Sequence, residues 1–235
     1  MVKTIENSQL EERIREILGR IGDAAKRSGR SPDSVQLLAV SKTKPLEMII
    51  EAVKTGLVTH FGENHVQEGQ AKVKAFPKEL SATWHLIGHL QRNKVRKAIQ
   101  YFDIIESIDR VEIADAAERI CAENAKNIKV LIEANSSGEA SKTGAPMESV
   151  PSLAEHIREK CPHLILKGLM TIGPLGADEM GVRKAFDSTR ELLEKISLRP
   201  SELPMLSMGM SGDFEWAIEQ GSTEVRVGTA IFGSR

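Results

Sequence analysis

The sequence predicts an α/β chain folded as a single (β/α)8 TIM barrel with an additional N-terminal helix. Three observations predict it. Short apolar runs alternate eight times with segments of helical periodicity, mostly across short connections. At 235 residues the chain is long for an ordinary domain and normal for one barrel, whose core needs no covalent staple. No Gly-x-Gly-x-x-Gly follows the first apolar run, which disfavours a doubly wound open sheet. The expected organisation is one domain over 1–235, with the N-terminal helix inside 1–30 and the barrel over 35–233.

Leu10, Ile14, Ile17, Leu18, Ile21 and Ala25 share one face of a helix over 8–27, expected to cover an end of the barrel. Ser28-Gly29-Arg30-Ser31-Pro32-Asp33 stops it. The first strand is the run 35–41, and Leu46, Ile49, Ile50 and Val53 mark a helix stopped by Gly56. The second strand spans 58–63, with a helix over 66–74. The third spans 83–88, with a short helix from Asn93, and the fourth spans 102–108, with a helix over 111–125. The fifth covers 129–135, and its helix ends near Cys161-Pro162. The sixth, 164–172, precedes a helix with Val182, Ala185, Phe186, Thr189, Leu192, Leu193 and Ile196 on one side. The seventh spans 205–208 with a helix over 212–220, the eighth spans 224–227, and 230–235 supply a rudimentary last helix.

Composition excludes several classes of function. The 32 basic and 33 acidic residues leave a net charge of −1, which argues against nucleic acid or a membrane surface as partner. Arg92, Lys94, Arg96 and Lys97 read as the solvated face of a short helix. One Tyr, two Trp and six Phe do not favour base stacking. Cys121 and Cys161 fall on separate helices without ligand spacing, so a reducing compartment is expected, with neither disulfide nor metal site. The N-terminus has no signal-peptide core, and no apolar stretch reaches the roughly 18 residues of a membrane span, so a cytoplasmic protein is expected.

Barrel chemistry sits at the C-terminal ends of the strands. The first, Val35-Gln36-Leu37-Leu38-Ala39-Val40-Ser41-Lys42, delivers an amine out of an apolar run. An amine among apolar walls loses hydration, which favours its neutral form, the one that attacks an aldehyde to give a Schiff base. The seventh and eighth strands end in Ser207-Met208-Gly209-Met210-Ser211-Gly212 and Arg226-Val227-Gly228-Thr229. Glycines there admit close backbone approach, Ser211 and Thr229 bring hydroxyl donors, and loops at this place are the usual phosphate site of such barrels. Asp213 opposes an anion unless it points away. An aldehyde with a phosphate arm bridges the lysine and the cup, which describes pyridoxal 5′-phosphate. A sugar-phosphate enzyme with Lys42 as aldolase-type nucleophile would use the same cup.

Leu37 through Pro45, Phe61-Gly62-Glu63-Asn64, Trp84-His85-Leu86-Ile87-Gly88, Gly168-Leu169-Met170, Leu206 through Ser211 and Val225 through Gly233 together resemble the pyridoxal-phosphate homeostasis (YggS/PROSC) family. The resemblance runs from about Val35 to Gly233 with the motifs in order. It implies a barrel of the alanine racemase type that binds the cofactor without established enzymatic activity. It implies Lys42 as the Schiff-base lysine, Ser211, Gly228, Thr229 and Ser207 at the phosphate, Arg226 facing the pyridine nitrogen, and Asn64 near the ring. Lys44 and Lys142 match further lysines around the pocket, which would hold the cofactor transiently or receive it on release. His65 departs from the pattern, standing where a tyrosine is frequent.

Carriage is expected over catalysis. An arginine beside the ring nitrogen keeps that nitrogen unprotonated and the ring a poor electron sink, although alanine racemases share this arginine and still work. A racemase needs a second base, a tyrosine from an extra C-terminal domain in that family. Here the one tyrosine, Tyr101, precedes strand four on the side away from the mouth. The expected function is a monomeric carrier and buffer of pyridoxal phosphate, with apo-enzymes as recipients and no catalytic residues. The alternative is a minimal amino-acid racemase with His85 or His89 as base.

Overall fold

The expected apolar runs become parallel strands. A computed structural model describes residues 2–138, 143–174, 176–196 and 204–233. Its strands are β1 (Gln36–Val40), β2 (His60–Glu63), β3 (Thr83–Leu86), β4 (Ile104–Ile108), β5 (Ile128–Asn135), β6 (Ala145–Pro146), β7 (Leu164–Thr171), β8 (Met205–Ser207) and β9 (Glu224–Val227). The order β4-β3-β2-β1-β9-β8-β7-β5, with β4 also paired to β5, closes an eight-stranded barrel. The two-residue β6 pairs with Ala134 and Asn135 outside the ring, a bridge that periodicity does not mark. β4 and β9 are buried along their whole length, although β4 carries Glu106 and Ser107 and β9 carries Glu224 and Arg226.

Helices alternate with the strands: α2 (Leu46–Lys54), α3 (Val66–Ala75), α4 (Val95–Tyr101), α5 (Val111–Glu123), α6 (Val150–Lys160), α7 (Glu179–Lys195), α8 (Phe214–Glu219) and α9 (Thr229–Phe232). Asp178 caps α7 by accepting the Gly181 amide at 2.9 Å.

The N-terminal helix α1 (Val2–Arg27) corrects one expectation. It does not cover an end of the barrel. It lies along α8, α9 and α2, between the seventh helix and the first, where the eighth helix of the ring belongs. The single turn of α9 leaves that position open, and α1 fills it with Leu10, Ile14, Ile17, Ile21, Ala24 and Ala25, all buried. Arg20 pairs with Glu215 at 3.1 Å and Arg27 with Glu219 at 2.9 Å across the same seam. Exposed pairs of this kind contribute little, so the apolar stripe holds the helix. Among the described residues no helix is long and apolar enough to cross a membrane.

Candidate functional site

The register of β1 against β9 sets Leu38 level with Arg226 and Ala39 level with Val227. The segments that follow, Ser41-Lys42 and Gly228-Thr229, therefore emerge side by side at the C-terminal mouth. A cavity of about 280 Å³ lies there, lined by Val40, Lys42, Asn64, Ile87, Ile172, Met210, Ser211, Gly212, Arg226, Gly228 and Thr229. Six of the seven residues expected at a cofactor are thus brought together. Val40, Ile87, Met210 and Ile172 give apolar walls, and Ile172 is a large hydrophobic side chain left 36% exposed. A Cβ on Gly212 would meet nothing within 4 Å, so the backbone there faces open space. Among the described residues, the main-chain amides of Ser211, Gly212 and Gly228 are taken by no protein carbonyl.

Ser207 is the exception. It is fully buried beneath the cavity, donating from Oγ to Glu106 Oε2 at 2.7 Å. It reaches the cavity only through Arg226, whose Nη1 donates to Ser207 O at 2.7 Å and Ser207 Oγ at 2.9 Å. Arg226 Nη2 donates to Thr171 O at 2.7 Å, so three acceptors fix the guanidinium in the floor. The reason is the period of two along β8: with Leu206 packed outward, Ser207 points into the barrel.

Asp213 turns away from the cup. Its Oδ1 accepts the Met210 amide at 2.6 Å and closes the turn ahead of α8. Gly209 makes that turn possible, at φ +97 with the place of a Cβ only 2.6 Å from Ala217 Cβ. Gly88 allows the backbone of β3's exit to press on Asn64, whose carbonyl oxygen would lie 2.2 Å from a Cβ there. Lys44 Nζ donates to Gly233 O at 2.9 Å, tying the Lys42 loop to the end of α9. Lys142 lies outside the described residues.

The Lys42 loop is also held from α3. Lys72 is buried and donates from Nζ to Ser41 O at 2.7 Å, Glu63 Oε1 at 2.8 Å and Glu68 Oε1 at 2.8 Å. Ser41 Oγ donates to Glu63 Oε1 at 2.6 Å. Glu68 Oε1 also accepts the amide of Thr43, which stands at φ +63, a strained conformation for a β-branched residue. Burial pushes the Glu63 carboxyl up, against the pull of Lys72 and Ser41. Sequence reasoning misses Lys72 because its spacing of four from Glu68 reads as a solvated surface pair.

Below Arg226 a polar chain runs down the barrel. Glu106 Oε1 accepts from His85 Nδ1 at 2.6 Å, and His85 Nε2 faces His60 Nδ1 at 2.9 Å. Burial pushes the Glu106 carboxyl up, but His85, Arg226 and Ser207 outweigh it and hold it below the usual range. A charge inside the apolar run 102–108 is the signal that flags Glu106. His85 is fully buried and engaged at both nitrogens, so it is not aimed at the mouth. His89 lines a neighbouring cavity with Asn64 and Gly88, its Nδ1 3.3 Å from Asp109 Oδ2. Tyr101 ends α4 ahead of β4, on the far side from the cavity.

A barrel with an amine, a hydroxyl-and-amide cup and a guanidinium at one mouth defines a class, and residues 20–235 match the alanine racemase N-terminal domain family. The chain is 44% identical over 229 residues to the pyridoxal phosphate homeostasis protein of Vibrio cholerae, covering 96% of each. A crystal structure of a protein from Bifidobacterium adolescentis superposes with a TM-score of 0.89 at 35% identity, over 96% of this chain and 95% of that one. PipY of Synechococcus elongatus, solved with PLP bound, does so with a TM-score of 0.79 at 35% identity, over 96% of this chain and 100% of that one. The chain belongs to the pyridoxal phosphate homeostasis protein family.

Proposed function

We propose that this chain binds pyridoxal 5′-phosphate at the C-terminal mouth, holds it covalently through Lys42, and serves intracellular cofactor homeostasis as carrier and buffer. The observation that carries this is one cavity joining Lys42, the Ser211-Gly212 and Gly228-Thr229 backbone, and the buried Arg226. The open space facing Gly212 fits a group larger than a side-chain methyl, and the apolar walls fit a flat ring. The relatives' names and the bound PLP of PipY support the same ligand.

The cofactor supplies an aldehyde that condenses with an amine, releasing water. Lys42 brings the amine, and the Ser41–Glu63–Lys72–Glu68 cluster fixes the loop that carries it. Ser211 and Thr229 bring hydroxyl donors to the phosphate, with the amides of Gly212 and Gly228 beside them. Asn64 offers its amide at the ring edge, and Ser207 positions Arg226 without touching the ligand. A guanidinium in the floor facing the ring nitrogen would leave that nitrogen unprotonated, an arrangement that supports carbanion chemistry weakly. Alanine racemases share such an arginine, so the preference for carriage over a racemase rests as well on Tyr101, which lies away from the cavity.

The test mixes loaded protein with an apo-enzyme and compares its activation with that by free pyridoxal phosphate. Faster or protected transfer supports delivery. Transfer no faster than release into solution removes delivery and leaves buffering. Solvent deuterium entering the α-position of an amino acid, and lost in Lys42→Ala, would establish the racemase instead.

A further inference from the structure

The polar chain below Arg226 ends at the opposite, N-terminal end of the barrel. His60 opens β2 and Glu224 opens β9, and both line a separate cavity of about 680 Å³. His85, two residue pairs further up β3, lies against His60. One ligand atom from each of His60, His85 and Glu224 lies within 4.8 Å of the other two. No sequence spacing announces this set, because three different strands supply it.

We infer that His60, His85 and Glu224 form a binding site for one divalent transition-metal ion at the base of the barrel. Two imidazoles and a carboxylate suit Zn²⁺ and its neighbours rather than Mg²⁺ or Ca²⁺. Bonds of about 2.0–2.2 Å hold the ligand atoms of one ion roughly 3.3 Å apart. The present separations, 2.9 Å between His60 Nδ1 and His85 Nε2 among them, reach that by small side-chain rotations.

Three further observations carry the assignment. Glu224 is buried with no hydrogen bond to either carboxylate oxygen and with His85 Nδ1 3.8 Å from Oε2, a setting in which a bound cation would offset the cost of burial. His85 donates its other ring nitrogen to Glu106, the carboxylate–histidine arrangement that orients a metal-bound imidazole. The cavity lined by His60 and Glu224 gives the ion a way in. Lys129 lines the same cavity and works against a cation, while Glu106 and Asp103 work for it.

The test titrates the full chain with Zn²⁺ against a chromogenic chelator and records the visible bands of Co²⁺. The expected result is about one equivalent bound at micromolar affinity or tighter, with tetrahedral Co²⁺ bands. His60→Ala and Glu224→Gln should each weaken binding by about 100-fold or more. His60 is only half-buried, so its variant keeps the fold, which circular dichroism checks. Absence of stoichiometric binding overturns the site. So does binding that survives both variants, or that is lost only in Asp115→Ala, which would place the ion at Asp115, His156 and Cys161.

Discussion

Lys42 is legible in the sequence because its meaning is local: an apolar strand ends and an amine follows. Arg226, Ser211, Gly228 and Thr229 are legible for the same reason, each being at or just past the end of a strand. Ser207 is placed at the phosphate by the family resemblance and lies below the cup, since position along the strand does not reveal which way a side chain points. Gly209 is the residue whose replacement tests the cup most sharply. Its φ of +97 and its approach to Phe214 and Ala217 exclude a Cβ. Gly209→Ala is expected to destabilise the fold by about 1–3 kcal/mol and to weaken cofactor affinity, while leaving any Lys42 adduct on the same peptide. Urea unfolding together with a binding titration checks both effects.

Among elements, alternation of strand and helix is read correctly because period and turn chemistry are local signals. The place of α1 is not, because an apolar stripe says that a face is buried and not against what. Ile14 lies at the centre of that stripe and is fully buried. Ile14→Ala is expected to cost about 2–5 kcal/mol in chemical unfolding, the cost of a cavity in a barrel wall rather than of a loose extension. An effect near zero would mean that α1 is not part of the ring. The link from α3 to the Lys42 loop has its own signature. Partial burial pushes Glu68 up, but Lys72 and the Thr43 amide outweigh it and hold the carboxyl low. A carboxyl lower in the folded state than unfolded stabilises while ionised. Its contribution is therefore present above the unfolded value of 4.5 and is lost as pH falls through the lower folded value. The stability difference between the protein and Glu68→Gln should be present in full above pH 4.5 and shrink as pH falls below it. A difference unchanged by that fall would remove the pair from the account.

At the scale of the whole molecule, closure of the sheet brings residues 42, 211 and 229 to one mouth, although they are far apart in sequence. The count of alternating elements predicts that closure, and the rule about strand ends predicts the mouth. The opposite end is not legible, because His60, His85 and Glu224 meet only once the ring is shut. The cysteines report on this closed state. Burial and Glu118 push Cys121 up to about 11, and burial, Glu118 and Asp115 push Cys161 up to about 12. Neither thiol should react with a disulfide reagent at neutral pH while the barrel is folded. Both should react together as urea unfolds it, and labelling ahead of the optical transition would reveal a local opening near α5 and α6.

The central claim is that Lys42 holds pyridoxal phosphate. Borohydride reduction of the protein incubated with the cofactor, followed by peptide mass spectrometry, tests it most directly. One reduced adduct is expected, on Lys42, absent from Lys42→Ala and diminished by competing phosphate. Labelling scattered over surface lysines, or a specific adduct on Lys44 instead, would contradict it.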